Sequence, residues 1–280
     1  MTSRALPSAR RWGSAASSWR AGCRKRARPA WSASSVPPRR DRCGFERCIV
    51  VPARPDDRVL QVLAEAAASY LIQHTVQSAI LGVASGRSTS RVSRLILSRP
   101  RCTLVRIADV ARSTSLPDNP TETVRRMAQI ASGPSWRLFA PIVLSSREAA
   151  ETLHREPGIA TAHAFFPRLT RVLMATAPWE PGESMIHDSI PAEDQAMVAA
   201  CHPAADLLAN VIDDWSRQVA PDFTARALSI ALAQLRAVPY LNMVAGRQRQ
   251  QPAVLACLKA RFANTRISDT RTADLFLKAG

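Results

Sequence analysis

The stretch Ser85-Gly86-Arg87-Ser88-Thr89 puts one glycine, three hydroxyl side chains and a guanidinium within five residues. It follows a short apolar run, residues 79–84, and precedes Val92, Leu95 and Ile96 at helical spacing, so it reads as a turn from a strand into a helix. The first backbone N–H groups of a helix have no partner inside it and carry a partial positive charge. Such a turn can hold an anion. Gly86 permits close backbone approach, the hydroxyls of Ser85, Ser88 and Thr89 add donors, and Arg87 adds charge. The same residues also fit a plain tight turn with Ser88 as helix N-cap. The spacing matches neither GxGxxG nor GxxxxGK followed by Ser or Thr, so a nucleotide is not indicated.

A second turn has similar parts. In "YLNMVAGRQRQQPAVLACLKARFANTRISDTRTADLFL", residues 240 to 277, a strand ends at Ala245-Gly246 and a basic turn leads into a helix. Arg247 and Arg249 would face a phosphate from the side opposite Arg87. Asp269, in Ser268-Asp269-Thr270, would accept sugar hydroxyls, or serve only as N-cap of the last helix. The expectation is that backbone amides of both turns jointly hold a doubly charged small molecule.

No catalytic set accompanies these turns. His74, His154, His163, His187 and His202 show no recurring partner spacing, Ser85 lacks the GxSxG context, and Asp213-Asp214 reads as a solvated turn. The six cysteines form no CxxC pair and have no His spaced to complete a zinc site, so neither a metal nor a cofactor is expected. Their scatter fits a reducing compartment, and no run approaches the roughly 18 apolar residues of a membrane span. A soluble, cytoplasmic protein is expected.

Two segments of different texture surround this chemistry. Residues 1–48 carry eleven Arg and one Lys against Asp41 and Glu46, a net +10 out of the chain's +16. The basic excess therefore belongs mostly to the N-terminal segment, not to the chain as a whole. Residues 1–44 alternate Arg, Ser, Ala, Pro and Trp with no sustained apolar period and are expected to be disordered. Three readings compete for them: a basic tail that binds nucleic acid loosely, an organelle transit peptide, or an upstream stretch translated from a wrong start or a shifted frame, such as a frame-shifted or degraded DNA-binding head.

From residue 45 onward strands and helices alternate. Strands are expected at 46–51, 79–84, 102–107, 136–140, 170–176, 226–232, 239–244 and 264–267. Helices are expected at 56–74 (capped by Asp56 or Asp57), 88–97, 121–131, 146–154, 191–200, 249–262 and 270–278, with a loop at 115–120. Such alternation predicts an α/β domain over 45–280, with a mainly parallel sheet and helices on both faces.

The pieces "FERCIVVPA", "AAASYLIQHTVQSAILGVASGRSTSRVSRLI", "RLFAPIVLSSREAAETLHREPGI", "ADLLANVIDDW", "ARALSIALAQLRAVPYLNMVAG" and "ISDTRTADLFL" occur in an order familiar from one family. From about Gly44 to Leu277 the chain resembles the sugar-binding effector domain of SorC-type bacterial transcriptional regulators, also called the DeoR-like sugar-binding domain. The resemblance implies a Rossmann-like fold related to sugar-phosphate isomerases and CoA transferases. It also implies a phosphorylated sugar as effector, a homo-oligomer (dimer or tetramer), and operator DNA as partner where a DNA-binding head is present. The family's phosphate turn falls on Ser85, Gly86, Arg87, Ser88 and Thr89. Its later Gly-Gly-x-x-Lys turn falls on Gly246, Arg247 and Gln250, so the second Gly and the Lys are missing and Arg249 is the candidate substitute. The family's Gly-Ile-Gly loop is here Ala175-Thr176-Ala177, and Asp269 matches the family's Asp before the last helix. Residues 1–44 show no helical period for the family's helix-turn-helix. The expected function is a sugar-phosphate-sensing, non-enzymatic effector domain. The alternatives are a sugar-phosphate isomerase-like enzyme and a truncated remnant that only oligomerises.

Overall fold

The computed structural model describes residues 47–96, 101–108 and 120–279. The expectations for residues 1–44 and for most of the loop at 115–120 lie outside this range. Seven strands form one sheet: β1 (Arg47–Val51), β2 (Ile80–Val83), β3 (Thr103–Arg106), β4 (Ser135–Trp136), β5 (Arg171–Met174), β9 (Tyr240–Val244) and β10 (Thr265–Asp269). Their order is β1-β10-β9-β5-β2-β3-β4, and every neighbouring pair is parallel. A second sheet, β6 (Ala205–Leu207), β7 (Asn210–Ile212) and β8 (Gln218–Val219), is antiparallel.

Parallel strands need crossovers, and here most of these are helices. Helices α1 (Asp56–His74), α2 (Arg87–Leu95) and α3 (Pro120–Ala131) pack side by side. Their apolar stripes, including Val59, Leu63, Leu71, Val92, Val124 and Met127, share a buried cluster with Leu81, Val83, Leu104, Leu173, Val244 and Ile267 of the sheet. The alternate strand positions, Val105, Val172, Met174, Leu241 and Met243, point to the other face. That face is covered by α4 (Arg147–Arg155), α5 (Pro157–His163), α6 (Ala192–Ala199), the small sheet, α7 (Pro221–Thr224), α8 (Leu232–Ala237) and α9 (Gln251–Lys259). The last helix, α10 (Thr270–Ala279), follows β10 directly. The expected α/β architecture with helices on both faces is what the chain adopts.

Gly82 in β2 shows how tightly the centre is packed. A Cβ there would lie 2.9 Å from both Ile107 Cγ2 and Val172 Cγ2 and 3.2 Å from Leu169 Cδ1. Gly82→Ala is expected to cost about 1–3 kcal/mol through overpacking, read as a lower urea midpoint at unchanged slope.

Three expectations are corrected. Residues 226–232 form no strand, although Leu228 and Ile230 are buried. Residues 226–231 are a connection whose Leu228 N donates to Ile142 O (2.8 Å) and Ile230 N to Ile107 O (3.0 Å), Leu232 already opens α8, and Arg226 is held by a forked ion pair with Asp194. The strand expected at 136–140 is confined to Ser135–Trp136. The N-cap of α1 is Pro55 rather than Asp56 or Asp57.

Candidate functional site

The sheet order reverses at β2. From β2 the chain moves outward to β3 and β4, then returns to the opposite side of β2 to place β5, β9 and β10. At such a reversal the connections leave in opposite directions and open a crevice beyond the carboxyl ends of the strands. A pocket of roughly 570 Å³, including its open mouth, lies at this position. Its lining comes from the turns after β2 (Ser85, Gly86, Arg87, Ser88), β5 (Ala175, Thr176, Ala177) and β9 (Arg247, Gln250), with Glu183 and Asp206 from the segment between β5 and β7.

The first turn presents its amides. The backbone N–H groups of Arg87, Ser88 and Thr89 meet no acceptor among the described residues, whereas Ser90 N already donates to Gly86 O (2.9 Å). The N-cap position is Gly86, not Ser88, so no side chain competes for those donors. Ser85 Oγ donates to Ala108 O (2.9 Å) and accepts from Nη2 of the buried Arg106 (2.7 Å), which fixes the turn from behind. Thr89 is fully buried and its hydroxyl donates back to Gly86 O, so it braces the turn without lining the pocket.

The second turn works differently from the sequence-based expectation. Gly246 N and Arg247 N both point at Gln250 Oε1 (3.4 Å each), and Gln250 Nε2 donates to Thr176 O (3.1 Å). The amides of this turn are therefore covered by a protein side chain, and what it offers the pocket is the Arg247 guanidinium. Arg249 is exposed and lies outside the pocket lining. Gly246 is also outside the lining: a Cβ there would sit 2.9 Å from Leu63 Cδ1 and 3.0 Å from Asp269 N, so its role is close packing of β9 against α1 and β10. Asp269 is buried and away from the pocket, and its Oδ1 accepts from Thr272 N (2.8 Å) as an N-cap of α10. Of its two sequence readings, the capping one describes its contacts.

Two carboxylates also line the pocket. Glu183, 8 % exposed, binds Arg247 through a fork, Nη2–Oε2 2.5 Å and Nη1–Oε1 3.3 Å. Arg87 Nη2 donates to the Glu183 backbone O at 2.8 Å and lies 3.5 Å from Oε2. Burial, and then the neighbouring Arg247 charge, lower the Arg87 pKa from its usual value, which marks a site where two like charges have been brought together. Asp206 in β6 accepts from Ser184 Oγ (2.7 Å) and from Ala209 N (3.0 Å). Complete burial pushes its pKa up to about 6 against the pull of those two hydrogen bonds.

The comparisons with known proteins fit this geometry. Residues 40–278 match the family model described as "Putative sugar-binding domain". The chain belongs to that sugar-binding domain family. It is 27% identical over 250 residues to an uncharacterized transcriptional regulator of Escherichia coli, YjhU, covering 85% of this chain and 75% of that one. Among solved structures, the full-length sorbitol operon regulator SorC from Klebsiella pneumoniae has a similar fold, with a TM-score of 0.77 at 18% identity, covering 85% of this chain and 78% of that chain. So does a transcriptional regulator from Streptococcus pneumoniae, with a TM-score of 0.78 at 16% identity, covering 86% and 94%. The family resemblance read from the quoted segments is thus sound, and so is the fold it implied.

Within this sugar-binding domain, Glu183, Asp206 and Arg106 were not singled out from sequence. Asp206 sits before a two-residue hairpin whose central residues, Leu208 and Ala209, both have φ above +60°. Such hairpins normally announce themselves with Asn-Gly or Asp-Gly, and Leu-Ala carries no such signal. The histidines also differ from expectation in one respect: His154 and His163 lie with their Nδ1 atoms 2.9 Å apart. Only one of the two can hold the shared hydrogen, and burial followed by the His154 charge lowers the His163 pKa to about 4. A histidine kept neutral in the fold stabilises fully above its unfolded pKa of about 6.5, and this contribution fades as pH falls toward 4. His163→Gln is expected to flatten the acid side of the stability profile by about 1–3 kcal/mol, measured by denaturant titration at pH 4.5 and 7.

Proposed function

We propose that this sugar-binding domain is the effector-sensing part of a transcriptional regulator, that its effector is a phosphorylated sugar, and that it is not an enzyme. The observation that carries this reading is the convergence of the unpartnered amides of Arg87 and Ser88, at the start of α2, with the Arg87 and Arg247 guanidiniums in one pocket. A phosphate dianion takes both kinds of donor, and a neutral sugar hydroxyl has no use for two guanidiniums. Asp206 would accept a sugar hydroxyl at the far side of the pocket. The relatives named as transcriptional regulators support the regulatory role, and the proposal extends to a homo-oligomer that acts on operator DNA in the cytoplasm. No helix among the described residues is long and apolar enough to cross a membrane.

A thermal-shift screen of phosphorylated sugars and their unphosphorylated counterparts tests the effector. A melting temperature raised by one or more phosphosugars, and not by the parent sugars, is the expected result. Stabilisation by none of them would overturn it, and turnover of a phosphosugar by the purified protein would favour the isomerase alternative.

A further inference from the structure

The cations best suited to a phosphate are already satisfied by the protein's own carboxylate. Glu183 holds both oxygens against Arg247 and one near Arg87, and it is as inaccessible as Arg247 itself. What Glu183 does not reach is the pair of pocket-lining amides on Arg87 and Ser88. The segment that carries it is held by specific contacts: Gly182 N donates to the Asp188 carboxylate, and Ser184 Oγ donates to Asp206. The same segment contributes Met185 and Ile186 to the pocket wall.

Resting on the phosphosugar reading above, we propose that Glu183 is a specificity-determining residue, an internal competitor that occupies the anion site and selects for phosphate over singly charged anions. A carboxylate or other monoanion that enters can only exchange with Glu183, one negative charge for another on the same two arginines. A phosphate dianion brings an additional charge and oxygens that reach the Arg87 and Ser88 amides, so it gains contacts that Glu183 cannot make. Once displaced, Glu183 leaves the arginine fork and carries the Pro178–Ile190 segment with it. Because that segment also touches Asp206, displacement at the phosphate end is transmitted to the sugar end of the pocket.

Calorimetric titration of the full chain with inorganic phosphate, with gluconate as a sugar carboxylate, and with the best phosphosugar from the thermal screen tests this, using wild type, Glu183→Gln and Glu183→Asp. Glu183→Gln keeps the side-chain shape and removes the competing charge; it is expected to bind phosphate at least tenfold more tightly and to gain binding of gluconate. Glu183→Asp keeps the charge but shortens the reach, and should fall between the two while retaining the fold if Gln does not. Hydrogen exchange in residues 178–190 should change when wild type takes up the phosphosugar. If the phosphosugar binds wild type and both variants bind anions no more tightly than wild type, Glu183 is not a competitor, while the phosphosugar reading stands. If neither wild type nor any folded variant binds phosphate or phosphosugar, both fall together.

Discussion

Arg247→Ala should abolish phosphosugar binding, raising the dissociation constant at least hundredfold in calorimetry. The Arg247 side chain is 9% exposed and points its fork into the pocket, so its loss removes charge-assisted bonds worth about 1.5–3 kcal/mol each to a bound anion. It also leaves Glu183 with Arg87 as its remaining partner at 3.5 Å, so those two charges cancel and their pair no longer attracts a dianion. Breaking a buried pair is expensive in itself, about 3–5 kcal/mol, so the variant must be shown to be folded at the titration temperature. Arg247→Lys gives the complementary result. It keeps the charge and loses the fork, and a tenfold weakening is expected. Arg249→Ala, two residues away on the exposed side of the turn, should bind as wild type.

Asp206→Asn should change how stability depends on pH. The folded pKa of about 6 lies above the unfolded value of 3.8, so the fold retains a proton there that the unfolded chain releases. The stabilisation that follows is complete below about pH 4 and is lost as pH rises through 6, a swing of about 3 kcal/mol. His163 acts in the opposite sense over the same window, because its folded pKa is depressed. In the wild type the two partly cancel. Asp206→Asn removes the first, so its stability relative to wild type should rise by about 2 kcal/mol between pH 4.5 and 7.5, read by urea titration at both pH values. Asp206→Ala behaves differently. It strands Ser184 Oγ and Ala209 N in the interior and should cost about 2–4 kcal/mol at any pH. Asp206→Asn should also weaken the phosphosugar about tenfold while leaving inorganic phosphate unchanged, since the sugar hydroxyls alone would use this carboxylate.

Most of the parallel sheet was legible because its strands are buried on both faces and read as short apolar runs between turn signals. The helix at 56–74 is readable for a related reason: its apolar stripe runs unbroken for five turns and matches Asp56–His74 residue for residue. The antiparallel insertion was not legible, since its hairpin turns at Leu208-Ala209 without a glycine or asparagine. The second turn shows the limit most clearly. Arg247 and Arg249 are equivalent as letters, and only the 3₁₀ turn at Gln248–Gln250, with the Gln250 side chain folded back onto the preceding amides, turns one inward and the other out. Glu183 lies in a connection with no regular period, so nothing in its neighbourhood predicted that it would meet two arginines 64 and 96 residues away.

The amides at the start of α2 are the most direct place to look. Backbone amide resonances of Arg87 and Ser88, followed by NMR during titration with the phosphosugar that most raises the melting temperature, should shift together and saturate at the calorimetric dissociation constant. A ligand that saturates the protein while leaving those two resonances unmoved would contradict the assignment of this pocket as the phosphate site.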